Sequence, residues 1–184
     1  PEFTMLEWYW AYADYNDCME LVENLIKKSA ERVDSKTVDW GDSKIDLSKS
    51  FVKKSFFELL KEATGCDINK IIDNKEQLKK ICNENDVEIE TDYSSGKILD
   101  ELMSQLVEPN LIQPTFVVDY PKIISPLAKS HRNGNPNIVE RFELFIGGTE
   151  FANSFSELND PVDQRMRLEE QAKLKKLGDE EAHP

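Results

Sequence analysis

The sequence is poor in the residues that build thiolate or imidazole chemistry. It has two histidines and three cysteines, Cys18, Cys66 and Cys82, with no Cys-x-x-Cys pair and no Cys/His spacing of a zinc site. An odd number of unpaired thiols points to a reducing cytoplasm. No Ser-His or Cys-His arrangement for covalent catalysis is visible, and His131 and His183 both fall in expected loops. No apolar run approaches the roughly 20 residues that cross a bilayer, so no membrane helix is expected. Positive charge is also scarce: 23 Lys and Arg stand against 36 Asp and Glu, a net charge of −13. That balance disfavours a surface built to hold nucleic acid nonspecifically, which needs clustered cations on phosphates. A local basic patch or a further domain would still allow it. The abrupt opening "PEFTMLEWYW", without a signal peptide, and the ending "GDEEAHP" suggest a chain cut from something longer.

What is present is a globular composition, 39% hydrophobic and 9% aromatic over 184 residues. Residues 3–12, aromatic and extended in character, read as a strand with Glu7 and Tyr9 on one face. Asp14 is placed to cap a helix over about 15–32, in which Met19, Val22, Leu25 and Ile26 recur at helical spacing. "TVDWGDSKIDLS" reads as a hairpin. "SFFELLKEATG" reads as a helix with Ser55 and Glu58 as a capping box and Gly65 as its stop. Residues 66–110 change to a charged, aromatic-poor pattern of two short helices, a helical insertion closed by Pro109. "QPTFVVDYP" is a strand, "IISPLAKSHRNGNPNIV" a loop, and "ERFELFIGGTEFANSF" a hairpin about Gly147-Gly148. A last helix starts at Pro161, capped by Asn159 or Asp160, and ends at Gly178. The order predicts an α+β fold: an antiparallel β-sheet flanked by helices, with a small helical insertion.

The hairpin carries Glu143, Glu150 and Glu157 at intervals of seven, a spacing that mimics a helix stripe in a stretch that is not helical. A two-residue turn places Ile146 opposite Thr149, Phe145 opposite Glu150 and Glu143 opposite Ala152. Glu143 and Glu150 then share one sheet face as diagonal neighbours, about 7 Å apart or closer. Like charges that close need a cation or a proton, and a divalent metal with oxygen ligands such as Mg²⁺ is one answer. Two solvated acids on an open face are the other. Strict alternation puts Asn153 and Glu157 on the opposite parity, with Phe151 and Phe155. Either they serve another face, or a bulge between Glu150 and Asn153 brings them round. A carboxylate and an amide among aromatics suit a pocket for an organic ammonium.

These strings are also familiar. "PEFTMLEWYWAYADY" resembles the second half of motif 2 of the class II aminoacyl-tRNA synthetases. "ISPLAKSHR" and "ERFELFIGGTEFANSFSELNDPVDQRMRLEEQ" resemble the catalytic domain of class II lysyl-tRNA synthetases, closer to bacterial than to animal forms. "SPLAK" and "NSFSELNDPVDQR" separate the lysine enzymes from the aspartate and asparagine members. The resemblance implies ATP-dependent activation of lysine to lysyl-adenylate and transfer to the 3′ end of tRNA(Lys), with Mg²⁺ as cofactor and a homodimer as the complete enzyme. It divides the chain into a first part of the catalytic core (1–65), the insertion (66–110) and a second part of the core (111–184). It assigns Phe3 to adenine stacking, Glu143 and Glu150 to Mg²⁺ and the ATP phosphates, and Glu7, Tyr9, Asn153 and Glu157 to lysine. Glu157 with Tyr9 would receive the ε-ammonium. Arg141 is read as a partner for a nearby acid. His131 and Arg132 are read as a solvated loop, with contact to ATP or tRNA as the alternative.

The motif 2 arginine, the Gly-rich motif 3 with its arginine, motif 1 and an anticodon-binding domain do not appear in this sequence. This stretch alone is therefore expected not to make lysyl-adenylate. Two other readings stand beside the ligase: a synthetase-like lysine-binding or regulatory protein without catalysis, and a related synthetase for another amino acid, against which Glu157 and Tyr9 argue.

Overall fold

The computed structural model describes residues 2–176; the expected stop at Gly178 and His183 lie outside the described residues. The chain forms α1 (Tyr15–Arg32), β1 (Thr37–Trp40), β2 (Ser43–Asp46), β3 (Val52–Ser55), α2 (Phe56–Thr64), α3 (Lys75–Glu84), α4 (Ser95–Leu106), β4 (Thr115–Val118), β5 (Arg141–Ile146), β6 (Thr149–Phe155) and α5 (Pro161–Lys176). Short 3₁₀ turns at Ile68–Lys70, Glu108–Asn110 and Lys122–Ile124 connect them.

The local signals act as the chemistry requires. The Asp14 carboxylate accepts from the amides of Asn16 and Asp17, and Asp17 reaches back to the Asp14 amide. Ser55 and Glu58 form the same reciprocal box at α2, which ends with Gly65 at φ 72°. Asp160 caps α5 through the amides of Val162 and Asp163.

Two sheets result. β1 and β2 pair antiparallel as the expected hairpin. The larger sheet has the order β3-β4-β5-β6. It is α+β as expected but not wholly antiparallel, because β3 runs parallel to β4, with Val52 beside Thr115 and Ser55 beside Val118. Parallel neighbours need a long crossover, and α2, α3 and α4 supply it.

Alternation along the strands sorts the core into two sides. Phe116, Val118, Phe142, Leu144 and Ile146 face α1, where Tyr15, Met19 and Val22 are buried against them. Val117 and Phe145 face the other way, into a cluster with Leu60 of α2, Leu78 and Cys82 of α3 and Leu99 and Leu102 of α4. Glu143, two residues before Phe145, lies on this second side.

The expected strand at 3–12 does not form. Residues 2–10 have no regular structure, and Phe3, Met5, Leu6 and Tyr9 are exposed. A strand exists only through a neighbour that completes its hydrogen bonds, and among the described residues no strand lies alongside this one. Extended, aromatic composition alone does not supply that neighbour.

Candidate active site: the Glu143 cluster

β5 and β6 place the candidate acids. The turn at Gly147-Gly148 has both glycines at positive φ, 63° and 74°, the type of backbone that two-residue hairpins demand. Ile146 faces Thr149 and Phe145 faces Glu150, as expected. The register then shifts: Leu144 pairs with Ala152 and Glu143 with Asn153, not with Ala152. Phe151 is the extra residue. This bulge lies between Glu150 and Asn153 and cancels the parity conflict, so Asn153 comes to Glu143. Phe151 itself leaves the cluster and packs edge-on against Trp40, with ring centroids 6.3 Å apart.

Glu143 is buried, with three hydrogen bonds to its carboxylate. Its Oε2 accepts from the Tyr120 hydroxyl at 2.6 Å. Its Oε1 accepts from Asn153 Nδ2 at 3.3 Å and from Arg141 Nη2. Arg141 also donates to the Ser125 hydroxyl at 2.9 Å, to the Ile124 carbonyl at 3.0 Å and to Asn153 Oδ1 at 3.3 Å. Its guanidinium lies 4.7 Å from the centre of the Tyr120 ring, a cation–π distance. Arg141 therefore pairs with an acid, as expected, and that acid is Glu143.

Two further carboxylates share the field of Glu143. Glu108, in the turn after α4, has its carboxyl pushed up to about 7 by burial, then by Glu143 and Glu150. Burial and then Glu143 raise the Glu150 carboxyl, while Arg141 acts the other way. Glu108 was invisible in the sequence pattern; its position follows only from the packing of α4 and its 3₁₀ turn. A cleft of about 310 Å³ is lined by Glu108, Tyr120, Arg141, Glu143 and, from α4, Lys97 and Asp100. A second, of about 230 Å³, lies across Arg141 and is lined by Ser125, Asn153 and Phe155.

The oxygen-rich donor set suits a hard divalent cation. Among the described residues no group of three or more His, Cys, Asp or Glu is arranged to hold a metal by itself. A cation at Glu143 and Glu150 would thus depend on ligands from outside the protein, such as phosphate oxygens and water.

Other expected site residues are dispersed. Phe3, Glu7 and Tyr9 are on the exposed 2–10 segment. Glu157 is exposed just beyond β6, bridged through its backbone to Ala128. Among the described residues no hydrogen bond joins Glu7 or Tyr9 to Glu157.

His131 and Arg132 lie in a loop as expected; Arg132 is exposed, whereas the His131 side chain is largely covered. His131 Nδ1 accepts from the Asn133 amide, so the ring proton of the neutral tautomer sits on Nε2, 3.3 Å from Asp119 and 3.2 Å from the Tyr15 hydroxyl. Arg132 grips Glu140 with two bonds, of 2.6 and 2.9 Å, and reaches Asp14 at 2.7 Å. Arg167 of α5, missed in the sequence, is buried and bonds Asp163, Ser130 and the carbonyls of Ser125 and Ala128. These ties fasten α1 and α5 to the loop that carries Ser125, the partner of Arg141. The thiols play no part in the cluster: all three are free, and burial pushes Cys82 up to about 11.

Comparison with known proteins shows the family. The profile of the tRNA synthetases class II (D, K and N) matches residues 1–184. The chain belongs to the class II tRNA synthetases (D, K and N). It is 46% identical over 184 residues to the "Lysine--tRNA ligase" of Staphylococcus epidermidis, covering all of this chain and 37% of that protein. It is 45% identical over 184 residues to that of Bacillus subtilis, covering all of this chain and 36% of the relative. With the same-named protein of Aquifex aeolicus it shares 45% over 183 residues, 99% of this chain and 30% of the relative. This class II synthetase sequence thus spans about a third of the length of the curated relatives it matches.

Proposed function

We propose that this chain is part of the catalytic domain of a lysine–tRNA ligase. Lysine and ATP give lysyl-adenylate and pyrophosphate, and lysine then passes to the 3′ end of tRNA(Lys). The observation that carries the reading is the Phe151 bulge, which sets Asn153 against Glu143 in the field of Glu150. Two tasks meet there. Glu143 and Glu150 take Mg²⁺ together with the ATP phosphates; the bound ion supplies neutralisation of phosphate charge. Asn153 and Glu157, with Glu7 and Tyr9, hold lysine, and Phe3 stacks on adenine.

The chemistry asks little more of the protein. The lysine carboxylate oxygen forms a bond to the α-phosphorus, and the bond from that phosphorus to the pyrophosphate oxygen breaks. No covalent enzyme intermediate is needed. Alignment and charge dispersal drive the step. Selectivity comes from a carboxylate at the end of the lysine pocket, which an analogue lacking the amine would leave unpaired.

In this reading residues 66–110 are an insertion between the two core parts 1–65 and 111–184, and the complete enzyme is a cytoplasmic homodimer. Among the described residues no helix is long and apolar enough to cross a membrane.

Glu157→Gln in the full-length protein that carries this sequence tests the assignment. A fall of roughly a hundredfold or more in kcat/KM for lysine is expected, with KM for ATP little changed. Near-normal lysine activation would refute the ammonium role of Glu157.

A further inference from the structure

Arg141 stands where the two tasks of the site meet. Its side chain lines both the cleft that holds Glu108 and Glu143 and the cleft that holds Ser125, Asn153 and Phe155. It bonds the carboxylate on one side and the amide on the other. Tyr120 fixes it from below, with the ring beneath the guanidinium and the hydroxyl on the same carboxylate.

The occupancy of Glu143 gives this a direction. An ionised carboxylate offers about four lone-pair positions. Asn153 and Arg141 take those of Oε1, and Tyr120 takes one of Oε2. One position on Oε2 is left for another ligand. Arg141 is ion-paired with Glu143, and it also acts on the Glu150 carboxyl.

We infer that Arg141 is a positioning residue and the resident counter-cation of the site. It holds the Glu143 carboxylate so that a single Oε2 lone pair remains for a divalent ion. It weakens binding of a free ion by occupying part of that ion's electrostatic role, which favours an ion that arrives with phosphate ligands of its own. Through Asn153 the same group fixes the lysine side. The inference rests on the ligase reading for the lysine part alone; the counter-cation part depends only on Glu143 and its partners.

The test uses Arg141→Gln and Arg141→Lys in the full-length protein that carries this sequence, with thermal melts to confirm folding. Calorimetric titration with Mn²⁺ in the absence of nucleotide reads the counter-cation role. Removing a unit charge beside the carboxylates should tighten Mn²⁺ binding by at least about threefold, whereas Arg141→Lys, which keeps the charge, should stay near wild type. Lysine-dependent ATP–pyrophosphate exchange reads the positioning role. Both variants should raise KM for lysine by about tenfold or more, because a lysine ammonium cannot serve Glu143, Asn153, Ser125 and the Ile124 carbonyl together. Unchanged or weaker Mn²⁺ binding in Arg141→Gln overturns the counter-cation role, and a wild-type lysine KM in Arg141→Lys overturns the positioning role. A wild-type protein without lysine-dependent exchange would refute the ligase reading, and the Mn²⁺ titration would still decide the counter-cation.

Discussion

Asn153 sits directly across the hairpin from Glu143, its Nδ2 3.3 Å from Oε1. This pairing depends on Phe151 being bulged. Were Phe151 paired in register instead of bulged, Ala152 would stand opposite Glu143 and Asn153 would turn to the other face. Deleting Phe151 joins Glu150 directly to Ala152 and keeps Asn153 opposite Glu143, so the deletion variant of the full-length protein is expected to retain lysine-dependent exchange. The Phe151→Ala variant, which keeps the bulge and loses only the contact with Trp40, should retain most of it.

The turn is held from outside. Trp40 Nε1 donates to the Gly147 carbonyl at 3.1 Å, and a Cβ added at Gly147 would fall 2.5 Å from that nitrogen. Gly147 also has φ +63°. Gly147→Ala should destabilise the fold by about 1–3 kcal/mol, read as a lowered Tm. In Trp40→Ala the steric part vanishes and the remaining effect of Gly147→Ala should shrink.

The raised carboxyl of Glu108 makes stability depend on pH. Its folded value of about 7 lies above the ordinary 4.5, so the folded state binds the proton more tightly than the unfolded chain. The favourable contribution is full below about 4.5 and is lost as pH rises through about 7. Glu108→Gln should then raise Tm by a few degrees at pH 8, on the order of 1 kcal/mol. It should have little effect near pH 4, and melting curves at the two values decide.

Asp163 works in the opposite sense. The Arg167 guanidinium is the first cause holding its carboxyl at about 2, below the ordinary 3.8. The resulting stability is present above about 3.8 and is lost as pH falls towards 2. Arg167→Met should cost about 1–3 kcal/mol at neutral pH, because it leaves the Ala128 carbonyl without its side-chain donor and Asp163 with only Lys122 and Ser130. It should also flatten the acid limb of a Tm-against-pH profile, which the wild type would show as a steep fall.

Much of the fold was legible because its signals are local. Asp14, Ser55 with Glu58, Gly65 and Asp160 announce helix ends within four residues of where they act. Gly147-Gly148 announces the turn in the same way. Strand pairing is not local. The β3 strand was hidden because "VKKS" has little strand character and is defined by its parallel neighbour β4. The aromatic stretch 3–12 has strand character but no neighbour among the described strands. For the site, Glu143, Glu150 and Asn153 could be read from spacing plus one bulge. Glu108 approaches from residues far along the chain, and so do Tyr120 and Ser125, the partners that Glu143 and Arg141 find. The covering of His131 and the ties of the exposed Arg132 could not be read, because their partners, Asp119, Tyr15, Glu140 and Asp14, are brought to them only by the tertiary fold.

The most direct test of the central claim is ATP–pyrophosphate exchange by the full-length protein that carries this sequence, run with Mg²⁺ and each of lysine, aspartate and asparagine in turn. The account predicts exchange with lysine alone. Exchange driven by aspartate or asparagine, or by none of the three, would contradict it.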